Sequence, residues 1–152
     1  QGVQHMIMNG MDVTGDIRTP EISQKASLIS AHAIVRDMLL DMQREIAQQY
    51  DVIMDGRDIG TVVLPKATVK FFLTASPEVR AKRRTRELLE KGQKADYEKI
   101  LKDIQQRDYQ DTHREVAPLK MTRDSVKLDT SDMTIDEVIA AMKETIAKKV
   151  AP

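Results

Sequence analysis

An α/β fold with a mostly parallel sheet is the architecture that this sequence predicts, on three observations. Short apolar runs of strand length occur at residues 51–56, 69–74 and 125–128. Longer stretches with helical apolar spacing lie between and after them. Two of the runs end in polar or acidic residues, as buried parallel strands do when they deliver chemistry to their C-terminal edge.

The elements follow in chain order. The opening Gln1-Gly2 has no Met ahead of the first strand-like run, Val3 to Met8, so the chain reads as a piece of something larger. Asn9-Gly10 is a turn signal and predicts an edge strand or hairpin arm. Thr19 can cap a helix that Pro20 opens, because proline needs no donor in the first turn. A second helix is predicted over about Ala33 to Gln49. Its stripe of Ile34, Val35, Met38, Leu39, Met42 and Ile46 reads as core packing. The run Asp51-Val52-Ile53-Met54-Asp55-Gly56 predicts a buried parallel strand, and Val69 to Thr74 a second one. Ser76-Pro77-Glu78 opens a helix that runs to about Glu90 and stops at Gly92. Another helix runs from about Asp96 to Arg114, and Pro118 ends its helical character. A short strand at Ser125–Leu128 leads to a last helix. There Thr134 and Glu137 suit a capping box, and Met133 and Val138 a hydrophobic staple.

Composition narrows the function classes. The 152 residues include 24 basic and 24 acidic side chains and no Cys or Trp. A disulfide scaffold and a thiolate metal site are excluded. Neutral net charge argues against a general nucleic-acid binder. No apolar run approaches the roughly 20 residues that span a bilayer, and no secretory leader opens the sequence, so a cytoplasmic protein is expected. The neutrality hides an asymmetry: residues 1–54 carry a net charge of −3 and residues 55–152 of +3. His5, His32 and His113 are too scattered to suggest zinc.

Three polar clusters remain as candidates. In Asp55-Gly56-Arg57-Asp58-Ile59-Gly60-Thr61, Arg57 offers a planar fork for phosphate. Asp58 can accept from an amino group, and Asp55 can hold a hydrated magnesium ion through water. The same residues also read as a self-neutralised turn. The second cluster is the basic stretch Arg80, Lys82, Arg83, Arg84, Arg86, Lys91 and Lys94. It suits either an anion-facing arm or a solvated helix face. In the third, spacings of four and three bring Arg107, Asp111 and Arg114 to one helical face. They form either a surface ion-pair ladder or a polyphosphate site with Asp111 accepting from sugar hydroxyls. No Gly-x-x-x-x-Gly-Lys-Ser/Thr loop occurs in the 152 residues.

Several segments together resemble bacterial cytidylate kinases. They are Ile17-Arg18-Thr19-Pro20-Glu21, Asp55 through Val63, Arg107-Asp108 through Arg114, Val116-Ala117-Pro118-Leu119 and Leu128-Asp129-Thr130-Ser131. The resemblance implies a P-loop nucleoside monophosphate kinase fold, a three-layer α/β/α arrangement around a parallel sheet, whose N-terminal central strand and phosphate loop are missing here. Residues 1–32 would be part of the acceptor-nucleotide-binding region. Residues 33–152 would be a partial kinase core with a lid at about 80–110. The resemblance further implies transfer of the ATP γ-phosphoryl group to CMP or dCMP, with Mg2+, by a cytoplasmic monomer. It assigns Ser27, Arg36 and Asp58 to the cytosine side and Arg57 and Arg114 to the monophosphate. Arg107 and Asp111 fall to phosphate and ribose, Asp55 to the metal, and Arg83 and Arg84 to the lid over the transferring phosphoryl. Two other readings stay open: a kinase for another small acceptor, and a nonenzymatic nucleotide-binding module.

Overall fold

The computed structural model describes residues 4–30 and 32–150. It divides into two compact units, residues 1–52 and 53–152. The part of the first predicted strand at Val3 lies outside the described residues.

In the N-terminal unit, β1 (Ile7–Met8) pairs antiparallel with β2 (Met11–Asp12), with Met8 opposite Met11. Asn9 and Gly10 have φ of 50° and 80°. That pair of left-handed residues is the turn whose twist suits a two-residue hairpin. The arm is fastened below the ladder: Val13 N donates to Met6 O at 2.9 Å, and Met6 N donates to Thr14 Oγ1 at 2.8 Å. A 3₁₀ turn at Asp16–Arg18 leads to α1 (Pro20–Ile29). As expected, Thr19 caps α1, its Oγ1 accepting from Ile22 N at 3.2 Å. Helix α2 (Ala33–Gln49) has the predicted bounds but not the predicted packing. Among the described residues it buries none of its side chains, and Ile34 and Met38 are 72% and 73% exposed. An amphipathic stripe records which face favours cover; within this unit no described element supplies it.

In the C-terminal unit, β3 (Phe71–Thr74) and β4 (Val126–Asp129) form a parallel pair, in register from Phe71 opposite Val126 to Thr74 opposite Asp129. A parallel pair needs a long crossover. Helices α3 (Pro77–Glu90) and α4 (Tyr97–His113) fill it and pack on each other. Helix α5 (Ile135–Val150) closes the unit. The chain is therefore a mixed α/β fold with a small parallel sheet.

Local chemistry explains the helix ends. Ser76 Oγ accepts from Val79 N at 3.2 Å, and Asp96 Oδ1 from Lys99 N at 3.1 Å. Helix α3 ends at Gly92, φ 71°, with Gly92 N bonded to Leu89 O and Gln93 N to Leu88 O, both at 2.9 Å. This paired closure satisfies carbonyls that the helix leaves open. The predicted capping box on α5 is formed: Thr134 N donates to Glu137 Oε2 at 2.7 Å, and Glu137 N to Thr134 Oγ1 at 3.3 Å. Met133 and Val138 line one cavity.

The predicted strand at Asp51–Gly56 is not a strand. Among the described residues it pairs with nothing, and Ile53 is 98% exposed. Apolar sequence alone does not make a strand, which exists only through the ladder that satisfies its backbone. The buried apolar residues are few: Val63, Ala75, Ala81 and Leu88 among those described. Leu88 stabilises the α3–α4 side of the fold by roughly 2 kcal/mol through burial.

Lys70 is buried too, only 8% exposed. Its Nζ donates to Pro65 O and, at 2.6 Å, to Asp124 Oδ2. Two charge-assisted bonds make burial of the ammonium tolerable. Asp124 is thereby held down to about 2, first by Lys70 and then by Thr122. Glu87 is also lowered to about 2, first by hydrogen bonds from Lys91 and Arg84. A carboxylate lowered on folding favours the folded state above its unfolded value, about pH 4, and that contribution is lost as pH falls toward the folded value. Asp124→Asn should therefore flatten the loss of stability between about pH 4 and 2, read from urea midpoints against pH. Parallel curves for variant and unmodified chain would exclude this linkage.

Candidate functional site

The polar residues that converge are built on two segments of the C-terminal unit. The first is the turn after Asp55. Gly56 is required there by close approach: a Cβ at this position would come within 2.8 Å of Ile59 Cγ1. Arg57 and Asp58 follow. The chain then makes one π turn at Ile59–Val63, closed by Leu64 N donating to Ile59 O at 2.7 Å. Sequence pattern did not announce this wide turn, a form that recurs at functional sites. Asp58 O gathers its donors, accepting from Val62 N at 2.8 Å and from Thr61 N and Val63 N at 3.3 Å. Lys70 lies under the turn, its Cδ 3.4 Å from where a Cβ on Gly60 would stand.

The second segment is the last two turns of α4. The spacing argument holds for Arg107 and Asp111, which share a face of α4; Arg114 follows the helix as its C-cap with extended backbone, ψ 144°, and still approaches Asp111. Asp111 is 5% exposed. Its Oδ2 accepts from Arg57 Nε at 2.9 Å and lies 3.9 Å from Arg107 Nε, while its Oδ1 is 3.9 Å from Arg114 Nη1. Asp58 Oδ1 is 3.8 Å from Arg114 Nη2. Three guanidiniums and two carboxylates leave a surplus of one positive charge. An isolated buried carboxylate would be costly, and the surrounding cations offset that cost.

Arg114 itself is held by the loop beyond it. Its Nε and Nη2 both donate to Ala117 O, at 2.8 and 2.6 Å. Ala117 has φ 48°, a left-handed conformation that disfavours a Cβ by about 1–2 kcal/mol. The residue before a proline is ordinarily extended, so Ala117, just ahead of Pro118, is doubly unusual. Leu119 N then returns to Asp111 O at 2.7 Å.

The remaining predicted residues lie elsewhere. Arg83 donates from Nη1 to Thr130 Oγ1 at 3.2 Å, and from Nη2 to Thr130 O and, at 3.1 Å, to Met133 O. It therefore sits at the C-terminal end of β4. Arg84 pairs with Glu87 at 2.7 Å along α3. In the N-terminal unit, Ser30 joins the two predicted residues: its Oγ donates to Ser27 O at 2.9 Å, and its carbonyl accepts from Arg36 Nη1 at 2.7 Å. Asp55 is exposed. Among the described residues no group of three or more His, Asp or Glu gathers that could hold a metal. A single carboxylate is still compatible with magnesium, which keeps several waters and takes phosphate oxygens.

Sequence reasoning missed one strong pair. The Arg80 guanidinium grips both oxygens of Asp108 and donates from Nε to Ala75 O at 3.0 Å. Asp108 raises the Arg80 pKa further, against the opposing effect of burial. Nothing in the periodicity of α3 and α4 pairs two residues that far apart in the chain.

Replacing Asp111 with Ala should lower stability by about 2 kcal/mol, because Arg57 loses its acceptor and Arg107 and Arg114 lose a nearby countercharge. The urea midpoint of the variant measures it. An unchanged midpoint would mean that the convergence contributes nothing to the fold.

Comparison with known proteins gives one answer. The family model described as Cytidylate kinase matches residues 1–148. Cytidylate kinases of Lactobacillus johnsonii and Lactobacillus gasseri are 53% and 52% identical over 148 residues, covering 97% of this chain. That of Desulforamulus reducens is 48% identical over 145 residues, 95% of this chain. The chain spans about 64%, 64% and 65% of the length of these curated relatives.

Proposed function

The chain belongs to the cytidylate kinase family, and from that premise we propose that the protein transfers the γ-phosphoryl group of ATP to CMP or dCMP, giving CDP or dCDP. The observation that supports this best is the meeting of Arg57, Arg107 and Arg114 around buried Asp111. Two carboxylates lie among the three cations, and the surplus charge attracts a phosphate dianion.

In this reading Arg57 and Arg114 hold the acceptor phosphate in line with the donor. Arg107 adds charge beside them, and Asp111 accepts from the ribose as well as from the arginines. Ser27, Arg36 and Asp58 read the cytosine. Phosphoryl transfer needs little covalent work from the protein; positioning and charge compensation carry the rate. Arg83 and Arg84 belong to a lid at about residues 80–110. To reach a transferring phosphoryl group, Arg84 must exchange Glu87 for phosphate oxygens, and Arg83 must leave Thr130 and Met133. Asp55 would hold Mg2+ through water, and the ion would neutralise charge on the phosphates.

The whole protein in this reading is a three-layer α/β/α P-loop kinase. It acts as a cytoplasmic monomer on nucleotides rather than on nucleic acid or membrane. No helix among the described residues is long and apolar enough to cross a membrane. Residues 1–32 belong to the acceptor-binding region and residues 33–152 to the kinase core. No Gly-x-x-x-x-Gly-Lys-Ser/Thr motif occurs within these 152 residues, and in this reading the donor-phosphate loop and the central strand before it are not part of them. The chain alone is therefore expected to form no ADP in response to CMP above background, measured in a coupled assay. Turnover on the scale of the family's enzymes would refute this.

In a full-length enzyme carrying these residues, Arg57→Ala should lower kcat/KM about ten- to a hundredfold for every monophosphate acceptor. Asp58→Ala should instead reduce the preference for CMP over UMP by at least about tenfold, at unchanged KM for ATP. Unchanged acceptor kinetics in the first variant, or unchanged preference in the second, would remove the role assigned to that residue.

A further inference from the structure

We propose that Ala117 is a positioning residue for acceptor binding: its left-handed backbone turns its carbonyl onto Arg114 and so sets the plane of that guanidinium. The inference rests on the reading of Arg114 as an acceptor-phosphate contact. Arg114 lies 3.8 Å from Asp58 and 3.9 Å from Asp111, both beyond hydrogen-bond distance. Its bonds to Ala117 O are 2.8 and 2.6 Å and use two donors of the fork on one oxygen. A planar group held at Nε and Nη2 by a single acceptor keeps little freedom about its last side-chain torsion.

Burial agrees with this. The Arg114 side chain is 15% exposed, against 42% for Arg57 and 44% for Arg107. The oxygen reaches Arg114 because the backbone reverses at Ala117, whose φ is 48°. The loop is closed on its far side by Leu119 N bonding to Asp111 O at 2.7 Å. Strained backbone at one residue thus presents one carbonyl to two donors of the same guanidinium. Strain of this kind persists where the surroundings over-determine it, and it collects at ligand clamps. Acting through Arg114, Ala117 is expected to govern recognition of the phosphate and not of the base or of ATP.

The test compares dissociation constants of CMP and cytidine in a full-length enzyme carrying these residues. Ala117→Val places a β-branched residue where φ must be positive; CMP should bind at least tenfold more weakly, with cytidine and ATP within twofold. Ala117→Gly, which adopts that φ freely, should retain CMP binding within twofold. The double variant with Arg114→Ala should bind CMP no more weakly than Arg114→Ala alone. Equal losses for CMP and cytidine, or additive losses in the double variant, would overturn the inference by making the effect a general one on structure. If Arg114→Ala weakens CMP while Ala117→Val leaves it unchanged, the positioning role fails and the acceptor site stands. If Arg114→Ala leaves CMP binding unchanged, the site reading fails and takes the inference with it. Should Ala117→Val not fold, solvent exchange of the Arg114 Nε proton in the unsubstituted, unliganded enzyme decides. Exchange at least tenfold slower than at Arg107 Nε supports the role, and equal rates refute it.

Discussion

The acceptance of arginine by Asp111 is the contact from which the candidate site is organised. One carboxylate, nearly sealed from water, faces guanidiniums from both segments. Its charge makes the gathering of like charges tolerable, and their charges make its burial tolerable. Neither side of that exchange stands alone. The contact also ties the turn after Asp55 to α4 across a long stretch of chain. The crossover between the two parallel strands is thereby fastened at the level of the site and not only through α3 against α4.

Around that centre the backbone contributes as much as the side chains. The π turn directs several amides at Asp58 O. The reversal at Ala117 directs a carbonyl at Arg114. Lys70 spans from Pro65 to Asp124 beneath the turn. Each device trades a local preference for a fixed position. Ring-like hydrogen bonding replaces the tighter α turn, a Cβ is carried at positive φ, and an ammonium is taken out of water. Departures of this sort from local propensity are expected where a site must be held in one shape.

Most of the secondary structure was legible in the residues, because its signals are short-range. Thr19, Ser76 and the Thr134–Glu137 box cap the helices they were expected to cap, and Asn9-Gly10 turns the hairpin. The approach of Arg107 to Asp111 followed from helical spacing alone. What spacing could not give was anything that depends on a distant partner. Residues 51–56 have strand composition, yet no ladder forms there. The stripe on α2 has core composition, yet it stays exposed. Arg57 on Asp111 and Arg80 on Asp108 join segments whose approach is set by topology, and Ala117 carries no mark of its φ beyond an unremarkable Ala-Pro.

The four buried apolar side chains among the described residues all fall between Val63 and Leu88. Backbone amides open to solvent least readily where covered apolar surface must be exposed to release them. The stretch from the end of the π turn through α3 is thus the anchor of the C-terminal unit. Within the C-terminal unit, the arginines that meet downstream are built onto that anchor.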